Sequence, residues 1–269
     1  MSATGVNLII IAVYVLLMVG IGGYCTKHSK SIDGFLLGGR NLGPWLSAFA
    51  YGTSFFSAVI FIGYAGKNGW NLGISAVWIG IANAVIGCLV SWLVLAKRTR
   101  RMTHRLNAKT MPEFFETRYL DRGMKIFCAI VIFIFLTPYA ASVYMGLSYL
   151  FSTVFPAVPY IWWMVIMAVL TAVYLTLGGY MATVMTDFVQ GIIMIFGIMF
   201  VIYFVLRHDA VGGLMHGMQQ LDAIPEVGKD LASWYGGRNW FNLFSLVILT
   251  SLGTWGLPQM IHKFYPVKE

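Results

Sequence analysis

Polar side chains embedded in apolar runs are where this 269-residue chain can do chemistry. Asp187 stands in "MATVMTDFVQG" (181–191), and strongly apolar sequence follows it, while the other nine acidic residues fall in loops or tails. A carboxylate in that setting has two readings. It has a function inside the span, or it is a negative charge near a helix N-terminus, where the helix dipole favours it. A charge at the centre of a membrane span costs about 2.5–3.5 kcal/mol on insertion scales, and less near an end. Gln190, one turn on, extends the polar patch. Two further clusters are made of small and hydroxylated residues. Gly52, Thr53, Ser54 and Ser57 lie in "WLSAFAYGTSFFSAVIFIGYAG"; Thr250, Ser251, Gly253, Thr254, Gly256 and Pro258 lie in "NLFSLVILTSLGTWGLPQM". Glycine and proline weaken a helix, and hydroxyls satisfy the backbone groups so freed. Each cluster, taken singly, also fits close helix packing through small residues. Covalent chemistry has no signal: there is no HExxH, nucleophile elbow or Walker motif. Cys25, Cys88 and Cys128 have no metal-ligand spacing and no disulfide framework.

The elements that carry these residues are membrane spans. Apolar residues make up 59% of the chain, charged residues 10%, and mean hydropathy is +0.76, where a soluble domain is about 25% charged. Seven runs are long and apolar enough to span a bilayer: 6–26, 45–65, 72–96, 126–151, 160–177, 184–206 and 240–257. The chain is thus expected to be one all-α polytopic transmembrane domain. The first run is read as a retained span, because its basic residues follow the apolar stretch instead of preceding it. With the N-terminus outside, seven spans leave the C-terminus of this chain inside. Inside segments then hold 14 of the 18 basic residues, nine of them between Lys97 and Lys125, with Lys263 and Lys268 after the last span. Outside segments hold 4: Lys67, Arg207, Lys229 and Arg238. That asymmetry fits the positive-inside rule. It accounts for "KRTRR" and the net charge of +8 without a nucleic-acid partner.

Two connecting segments are long. In 97–125, Thr110 is placed to cap a short helix with Pro112 in its first turn. In 207–239, "DAIPEVGKDLASWYGG" suggests one surface helix. Trp162, Trp163, Trp234 and Tyr235 read as interfacial aromatics. Asn83 either lines a cavity or bonds to a neighbouring helix. The two interrupted spans carry more meaning together than apart. Spans broken by Gly and Pro, separated by intact ones, point to a transporter whose unwound midplane segments hold ion and solute.

Four stretches sharpen this reading: "FLLGGRNLGPWLSAFAYGTSFFSA" (35–58), "NAKTMPEFFETRY" (107–119), "TLGGYMATVMTDFVQG" (176–191) and "GTWGLPQMIHKFY" (253–265). In this order they resemble the sodium:solute symporter family, which includes the sodium/proline, sodium/pantothenate, sodium/sialic acid and sodium/glucose carriers. The resemblance implies a leucine-transporter-like fold, in which an extra N-terminal helix precedes two inverted five-helix repeats. Spans two to six would form the first repeat, and span seven would open the second. It implies sodium-coupled transport of a small organic solute by alternating access, with Na+ as the coupling ion, no further cofactor and no enzymatic activity. The implied partners are the solute, sodium and the lipid bilayer of the cell membrane.

Site residues follow from the matched motifs. Backbone carbonyls of Thr53 and Phe56 would hold sodium, with Asp187 beside the cation path. Ser54, Ser57, Tyr139 (in "TPYAAS"), Thr250 and Thr254 would contact the solute, with Pro258 on the same segment. The proline carrier's aspartate in the first broken helix is Phe55 here, and the amide positions of the sugar carriers read Phe55 and Ile60. A small carboxylate, amino acid or vitamin-like acid is therefore expected in preference to a sugar. The family completes its cation site with Ser and Thr side chains of a later helix that residues 1–269 do not contain. The chain is accordingly expected to be part of a longer protein and to catalyse no sodium-driven uptake alone. The alternative function is a symporter-like sensor domain of a larger signalling protein; a channel is a further rival.

Overall fold

A computed structural model describes residues 3–26, 31–55 and 64–268. The described residues are almost wholly helical. Helix α1 (Ala3–Cys25) is followed by the short α2 (Ile32–Leu37) and by α3 (Pro44–Phe55). Then α4 (Gly66–Leu72) and α5 (Val77–Ala82) lead through π-type turns at 83–90 and 92–96 into α6 (Lys97–Arg105). Next come α7 (Met111–Tyr119), α8 (Arg122–Val154) and α9 (Tyr160–Arg207). The chain closes with α10 (Leu214–Asp222), α11 (Gly228–Leu231), α12 (Trp240–Gly253) and α13 (Pro258–Ile261). Four helical stretches among the described residues are long and apolar enough to cross a membrane: 5–25, 66–105, 122–154 and 160–207; the bent pair 237–256 and 258–264 would make a fifth. Their outer faces are apolar, with Leu16 72%, Leu93 73% and Phe133 74% exposed. Such a surface suits hydrocarbon rather than water.

The expected spans 160–177 and 184–206 lie in the single element α9, of 48 residues. A straight helix that long would extend about 72 Å, against a hydrocarbon core of about 30 Å. Gly179 breaks it, with φ 58° and ψ −150°. An L side chain rarely adopts that φ, and a Cβ there would stand 2.8 Å from Phe35 Cδ2 and 2.9 Å from the Phe35 carbonyl oxygen. At the adjoining Gly178 a Cβ would meet the Gly22 carbonyl oxygen at 2.9 Å. The Gly-Gly pair therefore turns the chain and lets α1 and α2 close on it.

Helix α3 is the hub. On one side Ala50 packs with Leu42 and Val184, flanked by Tyr180 and Met181. On the other, Tyr51 and Phe55 pack with Ala96, Met260 and Phe264. The Tyr51 hydroxyl is 3.2 Å from Ser91 Oγ, so the buried phenol keeps a partner. The second half of the expected span 45–65 includes residues 56–63, which lie outside the described residues, so no break is assigned there. In the seventh span the break is present. α12 ends through a tight 254–256 turn, Leu257 is extended (φ −68°, ψ 124°), and α13 restarts with Pro258 in its first turn. The bend is 58°. Proline suits that position because it has no N–H to leave unsatisfied.

The ends of the chain's connectors are tied together. Leu42 N donates to Pro266 O at 3.1 Å and accepts at its carbonyl from Lys268 N at 3.0 Å. Arg100 Nε donates to Val267 O at 2.7 Å, and Arg40 Nη2 donates to Ala108 O at 3.0 Å. Burial pushes the phenol of the adjoining Tyr265 up from its ordinary value, so it stays neutral. Thr110 caps α7, its hydroxyl accepting from Glu113 N at 3.4 Å, while Glu113 Oε2 accepts from Lys109 N at 2.9 Å. The arrangement is close to a capping box, with the glutamate reaching the residue before the cap instead of the cap itself. Segment 207–239 contains two short helices, α10 and α11, instead of one. The turn between them carries Pro225, which cannot extend α10. Trp163 is 8% exposed and stacks against Phe151 and Phe155, so it is a packing residue and not an interfacial one. Trp162, Trp234 and Tyr235 are exposed.

Candidate functional site

The break at Gly179 starts a second helical half, and Asp187 lies about two turns into it. Helix α3 packs across this half at Gly191, where a Cβ would stand 2.6 Å from Phe49 Cδ1 and 2.9 Å from Thr53 Cγ2. The same approach puts the Phe49 and Phe188 rings edge to face at 4.8 Å. It sets the Thr53 side chain beside the Asp187 carboxylate. It is the Thr53 side chain that lies near Asp187, whereas the expected cation contact was its backbone carbonyl. Thr53 Oγ1 also donates to the Phe49 carbonyl at 2.8 Å, as a helical threonine does. Phe56 and Ser57 lie outside the described residues.

Asp187 has a partner that sequence reasoning missed. Lys263 Nζ is 2.8 Å from Asp187 Oδ2, and the two side chains are 9% and 15% exposed. Lys263 was expected among the loop cations beyond the last span. Here the bend at Leu257 and the turn 262–264 carry it inward, against α9. Its ammonium lies 5.4 Å from the centroid of the Tyr180 ring, a cation–π arrangement. The His262 ring meets Tyr180 edge to face, also at 5.4 Å. A buried pair of this kind is strongly destabilised if one member is removed, because the other is left charged and dry. The ion pair is the dominant contact of Asp187, which bears on the helix-dipole reading of its place. Gln190, expected to share the patch, bonds through Nε2 to Tyr14 Oη, which lies within electrostatic reach of Asp187, and contacts Met18 Sδ at 3.5 Å. The spacing of Asp187 and Lys263 gave no signal of the pair, since 76 residues separate them.

A second locus forms where α8 passes the bend. Tyr139 lines a cavity of about 410 Å³ together with Phe115, Cys128, Leu257, Pro258 and Gln259. Its walls are otherwise apolar. Both amide heavy atoms of Gln259 are buried without a hydrogen-bond partner among the described residues. Gln259 is the second polar residue that sequence reasoning did not single out; its only prior signal was its place next to Pro258. Tyr139 follows Pro138, which interrupts the α8 hydrogen-bond ladder. The remaining expected contacts are engaged locally. Ser54 Oγ donates to Ala50 O at 2.8 Å, Thr250 Oγ1 to Leu246 O at 2.8 Å and Thr254 Oγ1 to Ser251 O at 3.0 Å. Asn83 bonds to a neighbouring helix: its Oδ1 accepts from Ser251 Oγ at 3.4 Å.

The arrangement places the Lys263 ammonium next to the Asp187 carboxylate and, near it, an apolar cavity beside an amide that has no partner among the described residues. Known proteins resemble the chain along nearly its whole length. The sodium:solute symporter family model matches residues 35–269. The osmoregulated proline transporter OpuE of Bacillus subtilis (strain 168) is 31% identical over 265 residues, covering 97% of this chain and 52% of that protein. A sodium/proline symporter of Staphylococcus aureus (strain JH9) is 30% identical over 270 residues, covering 97% of this chain and 50% of that protein. The chain spans about half the length of the curated relatives it matches. No solved structure matches it. The family motifs at 35–58, 107–119, 176–191 and 253–265 all fall within the matched region, and the chain belongs to the sodium:solute symporter family.

Proposed function

We propose that the chain carries the sodium site and part of the solute site of a sodium-coupled symporter for a small amino or imino acid such as proline. The observation that carries this reading is the meeting of Thr53 and Asp187 where α3 crosses α9 at Gly191. A hydroxylated helix face beside a buried carboxylate is a suitable oxygen environment for a hard monovalent ion. The names of the relatives support the sodium and the proline. The apolar cavity suits an aliphatic ring. Within it, the Gln259 amide can donate to a carboxylate or accept from an ammonium, and the Tyr139 hydroxyl can do either. A polyhydroxylated sugar would find too few partners there.

The architecture we propose is leucine-transporter-like, with seven spans at about the positions read from the sequence. The two halves of α9 serve as two spans, and α12 with α13 is the broken first helix of a second repeat. The basic asymmetry sets 97–125 inside and 207–239 outside. Single cysteines at Asn107 and Lys229, both exposed, probed on intact cells with an impermeant reagent, are expected to react at position 229 alone. Labelling at Asn107 alone would invert the arrangement.

Symport requires no covalent step. One sodium entering at roughly −100 mV down a tenfold gradient releases about 2.3 kcal/mol electrically and about 1.4 kcal/mol chemically. The sum sustains a gradient of several hundred-fold in a net-neutral solute such as zwitterionic proline. The direct test is radiolabelled proline binding to the purified chain in nanodiscs. Binding that is stronger in sodium than in choline is expected; binding equal in the two salts would overturn the reading.

A further inference from the structure

The proposed sodium site already holds a positive charge. Lys263 Nζ sits 2.8 Å from Asp187 Oδ2 with both side chains largely buried. One carboxylate cannot fully neutralise an ammonium and a sodium ion together, and in a low-dielectric interior the two cations repel strongly. We infer that Lys263 competes with the coupling cation for Asp187, so that sodium arrival releases the segment 258–264 from α9. This inference rests on the sodium-symport reading.

The position of Lys263 in the fold gives the exchange a consequence. Lysine and cavity wall are on one short segment: Pro258 and Gln259 line the cavity, and Lys263 follows in the next turn. That segment hangs from the non-helical Leu257 at a 58° bend, so rotation there needs little rearrangement of α12. It is held to the bundle on one face by Met260 and Phe264, which pack on Tyr51 and Phe55 of α3, and on the other by the ion pair. Loss of the ion pair frees the α9 side of the segment, while residues 265–268 stay bonded to His104, Leu42 and Arg100. Sodium at Asp187 and solute against 256–259 are thereby coupled through one lysine. By linkage, each changes the other's affinity by the same factor. Lys263 is in this sense a positioning residue that sets sodium affinity and transmits it.

The test uses the purified chain in nanodiscs with two readouts. The first is equilibrium binding of radioactive sodium. Lys263→Gln is expected to bind sodium more tightly than the wild type, by a factor within the usual range of about 5–150 for coupled sites. Lys263→Arg, which keeps the cation, should stay near wild type, and Asp187→Asn should abolish the gain. The second readout is amide hydrogen exchange of the wild type, which stands even if Lys263→Gln does not fold. High sodium, but not choline, is expected to speed exchange in 258–264. Unchanged sodium affinity in a folded Lys263→Gln, or unchanged exchange in sodium, overturns the competition. A wild type and a Lys263→Gln variant that both bind no sodium overturn the cation site at Asp187 and the competition with it. A wild type that binds sodium with no regard to position 263 overturns the competition alone.

Discussion

Two polar groups are buried near the bend at Leu257, and they are treated in opposite ways. Asp187 is met by Lys263, with Thr53 and the Tyr180 ring around the pair. Gln259, only four positions from Lys263, has both amide atoms buried and no partner among the described residues. The first arrangement holds the fold together; the second leaves hydrogen-bonding capacity unused inside an apolar cavity. A charge in low dielectric needs a counter-charge at once, whereas a neutral amide can stay unsatisfied at a cost of about 1–3 kcal/mol. The lesson is that one short segment carries both a charge paired with α9 and a buried amide with no partner among the described residues.

The comparison breaks most visibly at the ion pair. Asp187→Ala leaves Lys263 buried and alone, and is expected to cost about 3–5 kcal/mol, measured as denaturant unfolding in mild detergent. The double replacement Asp187→Leu with Lys263→Met should recover most of that loss. A double variant as unstable as the single one would show that the pair's charges are not what anchors the segment.

A smaller loss is expected at the break that presents Asp187. Gly179→Ala forces a side chain into a positive φ against Phe35, at about 1–3 kcal/mol of strain. Gly197→Ala, at a helical position with nothing within 4 Å, should stay within about 1 kcal/mol of wild type. Equal effects in the two would remove the special role of the Gly179 turn. At the other pole, Gln259→Leu deletes an unsatisfied amide. Its stability is expected to hold or rise by up to about 1–3 kcal/mol, while proline binding weakens. A stability loss would mean that the amide is already satisfied. The smallest effect is expected from Tyr139→Phe, which should weaken solute binding by about 0.5–1.5 kcal/mol with unchanged unfolding. Unaltered affinity would move the solute away from that wall.

Much of this protein is written in local pattern. Apolar run lengths announce the long helices because a bilayer demands about 20 residues of one character. Thr110, Pro112 and Glu113 announce the start of α7 because capping is a matter of three or four neighbouring residues. The Gly, Thr and Pro content of 250–258 announces the bend found at Leu257. Asp187 stood out for the same reason: one charge in an apolar run is visible without a fold. Its partner did not. Lys263 resembles any cation beyond a span, and its contact with Asp187 exists only because the bend turns 258–264 back onto α9. The same holds for Gln259, Trp163 and the inward turn of Thr53 at Gly191. Helix and cap are set by interactions a few residues apart, which the sequence displays directly. Pairing across 76 residues depends on how whole helices cross, and that is settled by packing of large side chains against small ones at Gly178, Gly179 and Gly191.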